Sequence, residues 1–119
     1  MEAMKVKRIV ANIKTRKISA AKRFYGKALG LDILMNHGWL ITYGSAAKMT
    51  TQLSFASQGG SGTDVPDLSI EVDDVDEAYS RMKKCRFKIV YPLTEEPWGV
   101  RRFFVRDPFG RTVNILEHT

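Results

Sequence analysis

The feature that most restricts this chain is a repeated order of structural signals: strand, helix and three short strands occur twice along 119 residues. In the first copy Ile9, Ala11 and Ile13 alternate with Val10, Asn12 and Lys14, the two-residue period of a strand with two different faces. A helix is expected next. Ser19 is placed to cap its first turn, Ala20, Phe24 and Ala28 with Ala21, Tyr25 and Leu29 form an apolar stripe at helical spacing, and Gly30 ends it. Strands are expected at 31–35, 39–43 and 50–55, with Asn36-His37-Gly38 as the hairpin turn between the first two.

The same order then returns. Leu68, Ile70 and Val72 alternate with Asp67, Ser69 and Glu71, and Asp73 or Asp74 caps a helix bearing Val75, Ala78, Tyr79 and Met82. Strands at 88–93, 100–105 and 112–117 complete the copy. Aligning the copies brings Ile13 onto Ile70, Ala21 onto Ala78, Gly38 onto Gly99 and Gln52 onto Asn114. The Gly-rich stretch 57–66 is the one linker-like segment, so the expected organisation is a single domain, 1–119, of two modules at about 5–57 and 66–119. Neither copy buries much surface alone, so the two should share a core or pair with a second chain, each sheet laying one face on its helix and lining a cup with the other.

Several functions are disfavoured by what accompanies this pattern. The lone Cys85 forbids an intrachain disulfide, and no CxxC or Cys/His cluster points to structural zinc; a buried or half-buried thiol in a reducing, cytoplasmic compartment is expected. The first eight residues lack a signal-peptide core, and no apolar run approaches the roughly 20 residues that span a bilayer. The net charge of +6 is spread over several elements, so it reads as a solubilising bias; neither membrane nor nucleic acid is an expected partner. No GxSxG elbow is present, and Gly59-Gly60-Ser61-Gly62 lacks the Lys and Ser/Thr of a phosphate loop. Glu95 and Glu96 read as an exposed acidic turn, His37 as a solvated turn residue and His118 as a frayed end.

Phe24-Tyr25 followed by Leu29-Gly30-Leu31, Val72-Asp73-Asp74-Val75 at the second helix, and Asp107-Pro108-Phe109-Gly110 before the last strand are individually weak signals. In this order and on this repeat the chain resembles the vicinal oxygen chelate superfamily of glyoxalases, bleomycin resistance proteins and dioxygenases. The resemblance implies an α+β fold of two βαβββ modules whose strands make a curved mixed sheet, a half-barrel cup, and commonly a homodimer. In catalytic members it also implies a divalent metal on four strand positions, which fall here on Val10, Gln52, Asp67 and Asn114. Val10 has no donor atom, Gln52 and Asn114 offer neutral carbonyl oxygens, and no imidazole is among them, so no metal and no other cofactor is expected.

The expected function is therefore that of the metal-free, bleomycin-resistance-like branch: sequestering or sensing a small aromatic or antibiotic-like compound, planar and neutral or anionic. Trp39 and Trp98, one per module beside Gly38 and Gly99, are candidates to stack on it, although two core indoles would give the same pattern. Asn12, Gln52, Asp67, Ser69 and Asn114 are the candidate polar contacts, with Arg102 a further one, alternation leaving open whether Arg101 or Arg102 faces the cup. No residue is assigned a catalytic role. The rival expectation is a metal-dependent lyase, isomerase or dioxygenase with an atypical ligand set.

Overall fold

The computed structural model describes residues 4–45 and 52–119. Eight strands follow the hydrogen-bonding order β2-β3-β4-β1-β5-β8-β7-β6 in a mixed sheet, which with few helices is the α+β class expected. In chain order the strands are β1 Val6–Lys14, β2 Asp32–Asn36, β3 Leu40–Gly44, β4 Gln52–Ala56, β5 Leu68–Val72, β6 Ile89–Glu96, β7 Val100–Arg106 and β8 Thr112–His118. Residues 50 and 51 of the strand expected at 50–55 lie outside the described residues. The chain forms two compact units, one of Val10–Val65 and one of Met1–Ile9 with Pro66–Thr119, so β1 contributes to both.

In the unit of residues 10–65, β4 pairs parallel with β1 and antiparallel with β3. Strand alternation sends Ile41, Tyr43, Leu53 and Phe55 to the helix-bearing face, where Tyr43, Phe55 and Ala21 are buried and Tyr25 and Leu31 pack against them. The opposite face carries Asn12, Gln52, Ser54 and Thr42; the last two hydroxyls hydrogen-bond at 2.8 Å and are both buried. The turn between β2 and β3 is built as expected. Asn36 Oδ1 accepts the Gly38 N–H at 2.9 Å, and Gly38 holds φ +86°, which a side chain would strain.

The first helix departs from expectation. It consists of a 3₁₀ turn, Ile18–Ala20, and a π-helical segment, Lys22–Ala28, and neither has a side-chain cap, so Ser19 does not act as one. The wider winding moves the apolar stripe off its 3.6-residue register. Ala21 is buried, but Phe24 and Leu29 are each 59% exposed. Gly30, at φ +72°, ends the segment as the sequence indicated.

The second unit keeps the regular pattern. Helix α1, Val75–Lys84, is capped by Asp74, whose carboxylate accepts the Glu77 N–H at 3.1 Å; Asp73 instead accepts the Lys5 N–H. Glu117 Oε1 takes the Val75 N–H, satisfying another of the helix's orphan donors. The stripe Val75, Ala78, Tyr79 and Met82 packs on Val72, Phe103, Val105, Val113 and Ile115 from β5, β7 and β8. Full burial of an aliphatic or Phe side chain is worth about 1.5–3 kcal/mol, so this cluster anchors the unit. Cys85 follows the last turn of α1 and is exposed, not buried, because the stripe has ended by that residue.

Candidate functional site

Because α1 covers one face of the second unit's sheet, alternation assigns the other face to residues that the core does not need. On β8 these are Asn114, Leu116 and His118; on β5, Ser69 and Glu71; on β7, Arg102 and Phe104. Ser69, Asn114 and Phe104 are register partners in one row, and Tyr91 on β6 is the partner of Phe104. Their rings lie 5.2 Å apart between centroids. The row thus passes from a hydroxyl and an amide to two aromatic rings.

Asn114 and Ser69 are brought together: Asn114 Nδ2 donates to Ser69 Oγ at 3.1 Å. Asn114 is buried, and its Oδ1 has no hydrogen-bond partner among the described residues. An unpaired buried amide end costs about 1–3 kcal/mol, so it marks a place where a further group is wanted.

Arg102, not Arg101, occupies this face. Arg101 reaches the other way to Asp76 on α1, at 2.7 Å. Arg102 is 3% exposed and donates through Nε to Glu96 Oε2 at 2.7 Å, the same oxygen that accepts the Tyr91 hydroxyl at 3.0 Å. Its guanidinium carbon stands 4.9 Å from the Trp98 ring centre, 4.8 Å from Phe104 and 5.3 Å from Tyr91. Three rings therefore enclose a cation that the chain supplies itself. Glu96 is buried in this arrangement, which corrects the expectation of an exposed acidic turn; β6 extends to Glu96 and carries the carboxylate to Arg102. Glu95 remains exposed.

A second cluster was missed by sequence reasoning. Glu71 is 8% exposed and receives Arg8 Nε on Oε1 and His118 Nδ1 on Oε2, the latter at 3.0 Å, with Lys7 Nζ at 3.7 Å. Burial pushes the Glu71 carboxyl up, but hydrogen bonds from His118 and Arg8, and their charges, outweigh it and hold it below the ordinary 4.5. His118 is not a frayed end: it is the last residue of β8, and the following Thr119 N–H bonds to the Gly99 carbonyl. Its place on the face of Asn114 was legible from alternation; its partner Glu71, 47 residues away, was not.

The other candidates are distributed. Asp67 stands exposed ahead of β5, where one carboxylate oxygen accepts the Thr112 N–H at 2.9 Å and the other faces Arg111 at 3.8 Å. Asn12 and Gln52 share the helix-free face of the first unit, and Trp39 lies at the end of that unit's β2–β3 turn, stacked on His37 with 5.8 Å between ring centres. An open groove of about 590 Å³ on this unit is lined by Ala20, Arg23, Phe24, Lys27 and Ala28, none of them a candidate site residue. Its outward position and two solvent-facing cations make it a poor match to a ligand site with convergent polar groups.

The residues at the four positions where the resemblance would put a metal do not fit one. Val10 is a buried apolar side chain, Gln52 and Asn114 are neutral, and the Asp67 carboxylate is engaged by a backbone N–H and Arg111. Among the described residues no three His, Cys, Asp or Glu side chains gather as a ligand set. No helix among them is long and apolar enough to cross a membrane.

Comparisons with known proteins agree with this architecture. The fold is similar to that of the NAD-dependent benzaldehyde dehydrogenase from Legionella pneumophila, at TM-score 0.76 and 17% identity over 94% of this chain and 100% of that one. A glyoxalase/bleomycin resistance protein/dioxygenase superfamily member from Vibrio splendidus 12B01 aligns at TM-score 0.65 and 13% identity, covering 97% and 100% of the two chains. Methylmalonyl-CoA epimerase from Mycobacterium tuberculosis aligns at 0.60 and 16%, covering 96% and 87%. At such identities these structures speak for the fold alone, and a comparison with curated proteins finds no match. A sequence model of the Glyoxalase/Bleomycin resistance protein/Dioxygenase superfamily matches residues 7–115, and the chain belongs to that superfamily.

Proposed function

We propose that this chain binds a small planar compound on the helix-free face of its second unit, without a metal, and so sequesters or senses it. The observation that carries the reading is the Asn114 amide: buried, held at one end by Ser69, unpaired at the other, and beside the Phe104 ring. A ligand that sets a ring near Phe104 and presents one hydrogen-bonding group to Asn114 would satisfy the orphaned atom and gain apolar contact together. Arg102 tunes the choice of ligand. With its own cation already among Trp98, Tyr91 and Phe104, this face disfavours a cationic compound and suits a neutral or anionic one.

A screen of aromatic compounds followed by tryptophan fluorescence tests this. Saturable quenching is expected. Asn114→Leu should weaken the best ligand by about 1–3 kcal/mol, with the unfolding midpoint of the ligand-free variant measured alongside because the substitution removes the Ser69 hydrogen bond together with the unpaired end. Unchanged affinity in Asn114→Leu, or no saturable ligand in a broad aromatic screen, would overturn the reading.

A further inference from the structure

The Glu71–His118 cluster plays no part in that binding argument, yet its geometry is that of a proton acceptor. Glu71 and Leu116 are register partners on parallel β5 and β8, so His118, two residues farther along, sits diagonally from Glu71 on the same face. Arg8 takes one oxygen of Glu71 and His118 the other, holding the carboxylate between them. An ionised carboxylate can only accept, so the imidazole donates its Nδ1 hydrogen to Glu71, and in the neutral ring that tautomer puts the lone pair on Nε2. No residue described in the structure is bonded to Nε2, and the His118 side chain is 36% exposed. Lys7 and Arg8 on β1 flank the same carboxylate, while Arg102 on β7, across Leu116, is matched by Glu96. The carboxylate that orients His118 thus faces two cations, Lys7 and Arg8.

Such a site selects a ligand by acidity. A carboxylic acid arrives already ionised at neutral pH and has no proton to give, and an aliphatic alcohol is far too weak an acid for an imidazole base. A phenol, near 10 in water, falls within reach once adjacent cations favour its anion by about 1–3 pH units. We propose that His118, oriented by Glu71, takes the hydroxyl proton of a phenolic ligand and holds the resulting phenolate beside Arg8 and Lys7. The O–H bond of the phenol breaks and an Nε2–H bond forms; the imidazolium keeps its Nδ1 hydrogen on Glu71, and no other reactant takes part. The inference rests on the reading that the ligand is a planar aromatic and adds its ionisation state and the residues that set it.

The probe is 4-nitrophenol, whose anion is yellow and whose acid is colourless. Binding is followed by tryptophan quenching and ionisation by the colour, at a pH where the free compound is mostly protonated. The bound probe should titrate about 1–3 pH units below the free one. His118→Gln, which keeps Arg8 and Lys7 but removes the proton acceptor, should diminish that difference, with a far-UV spectrum and unfolding midpoint measured alongside. His118→Asn serves if the first variant does not fold. Quenching without added colour overturns the proton transfer and leaves the ligand-binding reading standing. An undiminished difference in a folded His118 variant overturns it also, as does failure of 4-nitrophenol to bind while other aromatics do.

Discussion

Replacing Arg102 by Met should destabilise the protein severely, and the size of the loss follows from the burial of its pair. The side chains of Arg102 and Glu96 are 4% and 3% exposed and meet at 2.7 Å. With Met at 102, the Glu96 carboxylate keeps the Tyr91 hydroxyl but loses the Arg102 counter-charge in a dry site. Removing one member of a buried ion pair costs about 3–5 kcal/mol, because the remaining charge stays desolvated and uncompensated. For 119 residues the unfolding entropy is about 0.25 kcal/mol per degree, so the midpoint should fall by roughly 12–20 °C. The double variant Arg102→Met with Glu96→Leu removes both charges and should recover most of that loss, since apolar replacement of a whole buried pair is often neutral or stabilising. Urea unfolding of the wild type, both single variants and the double variant closes the cycle. A loss below about 1 kcal/mol in Arg102→Met would mean the pair behaves as one open to water and is not desolvated.

Two further outcomes are expected. Because the Glu71 carboxyl is held below its ordinary 4.5, its contribution is fully present above that value and is lost as pH falls through the lowered folded value; Glu71→Gln should flatten that part of the acid-unfolding profile, and an unchanged profile would contradict the assignment. The first unit leaves Phe24, Leu29, Ile13 and Ile33 between 41% and 59% exposed, an apolar surface suited to a second copy, so sedimentation should give about twice the 13.5 kDa chain mass, and a monomer at micromolar concentration would contradict it.

Much of the fold was legible because strand alternation and helix caps are local. The residues of β5 and the stripe of α1 fall where two-residue and 3.6-residue periods put them, and Asn36-Gly38 makes the turn its chemistry demands. The first helix was misjudged because a π-helical winding changes the period on which the stripe was counted, leaving Phe24 and Leu29 outside. Site residues divided in the same way. Alternation placed Asn12, Gln52, Ser69 and Asn114 on helix-free faces, whereas choosing Arg102 over Arg101 needed the register of β7 against β8. The buried Glu96 and the Glu71–His118 contact were illegible for a physical reason. A charged residue goes inside only when a partner meets it, and that partner is set by sheet pairing over many residues.

If the proposed binding function is right, the four positions Val10, Gln52, Asp67 and Asn114 hold no metal. Elemental analysis of protein purified without chelator tests it most directly. Far less than one transition-metal ion per chain is expected; a content near one per chain would overturn the metal-free reading and favour a metal-dependent reaction.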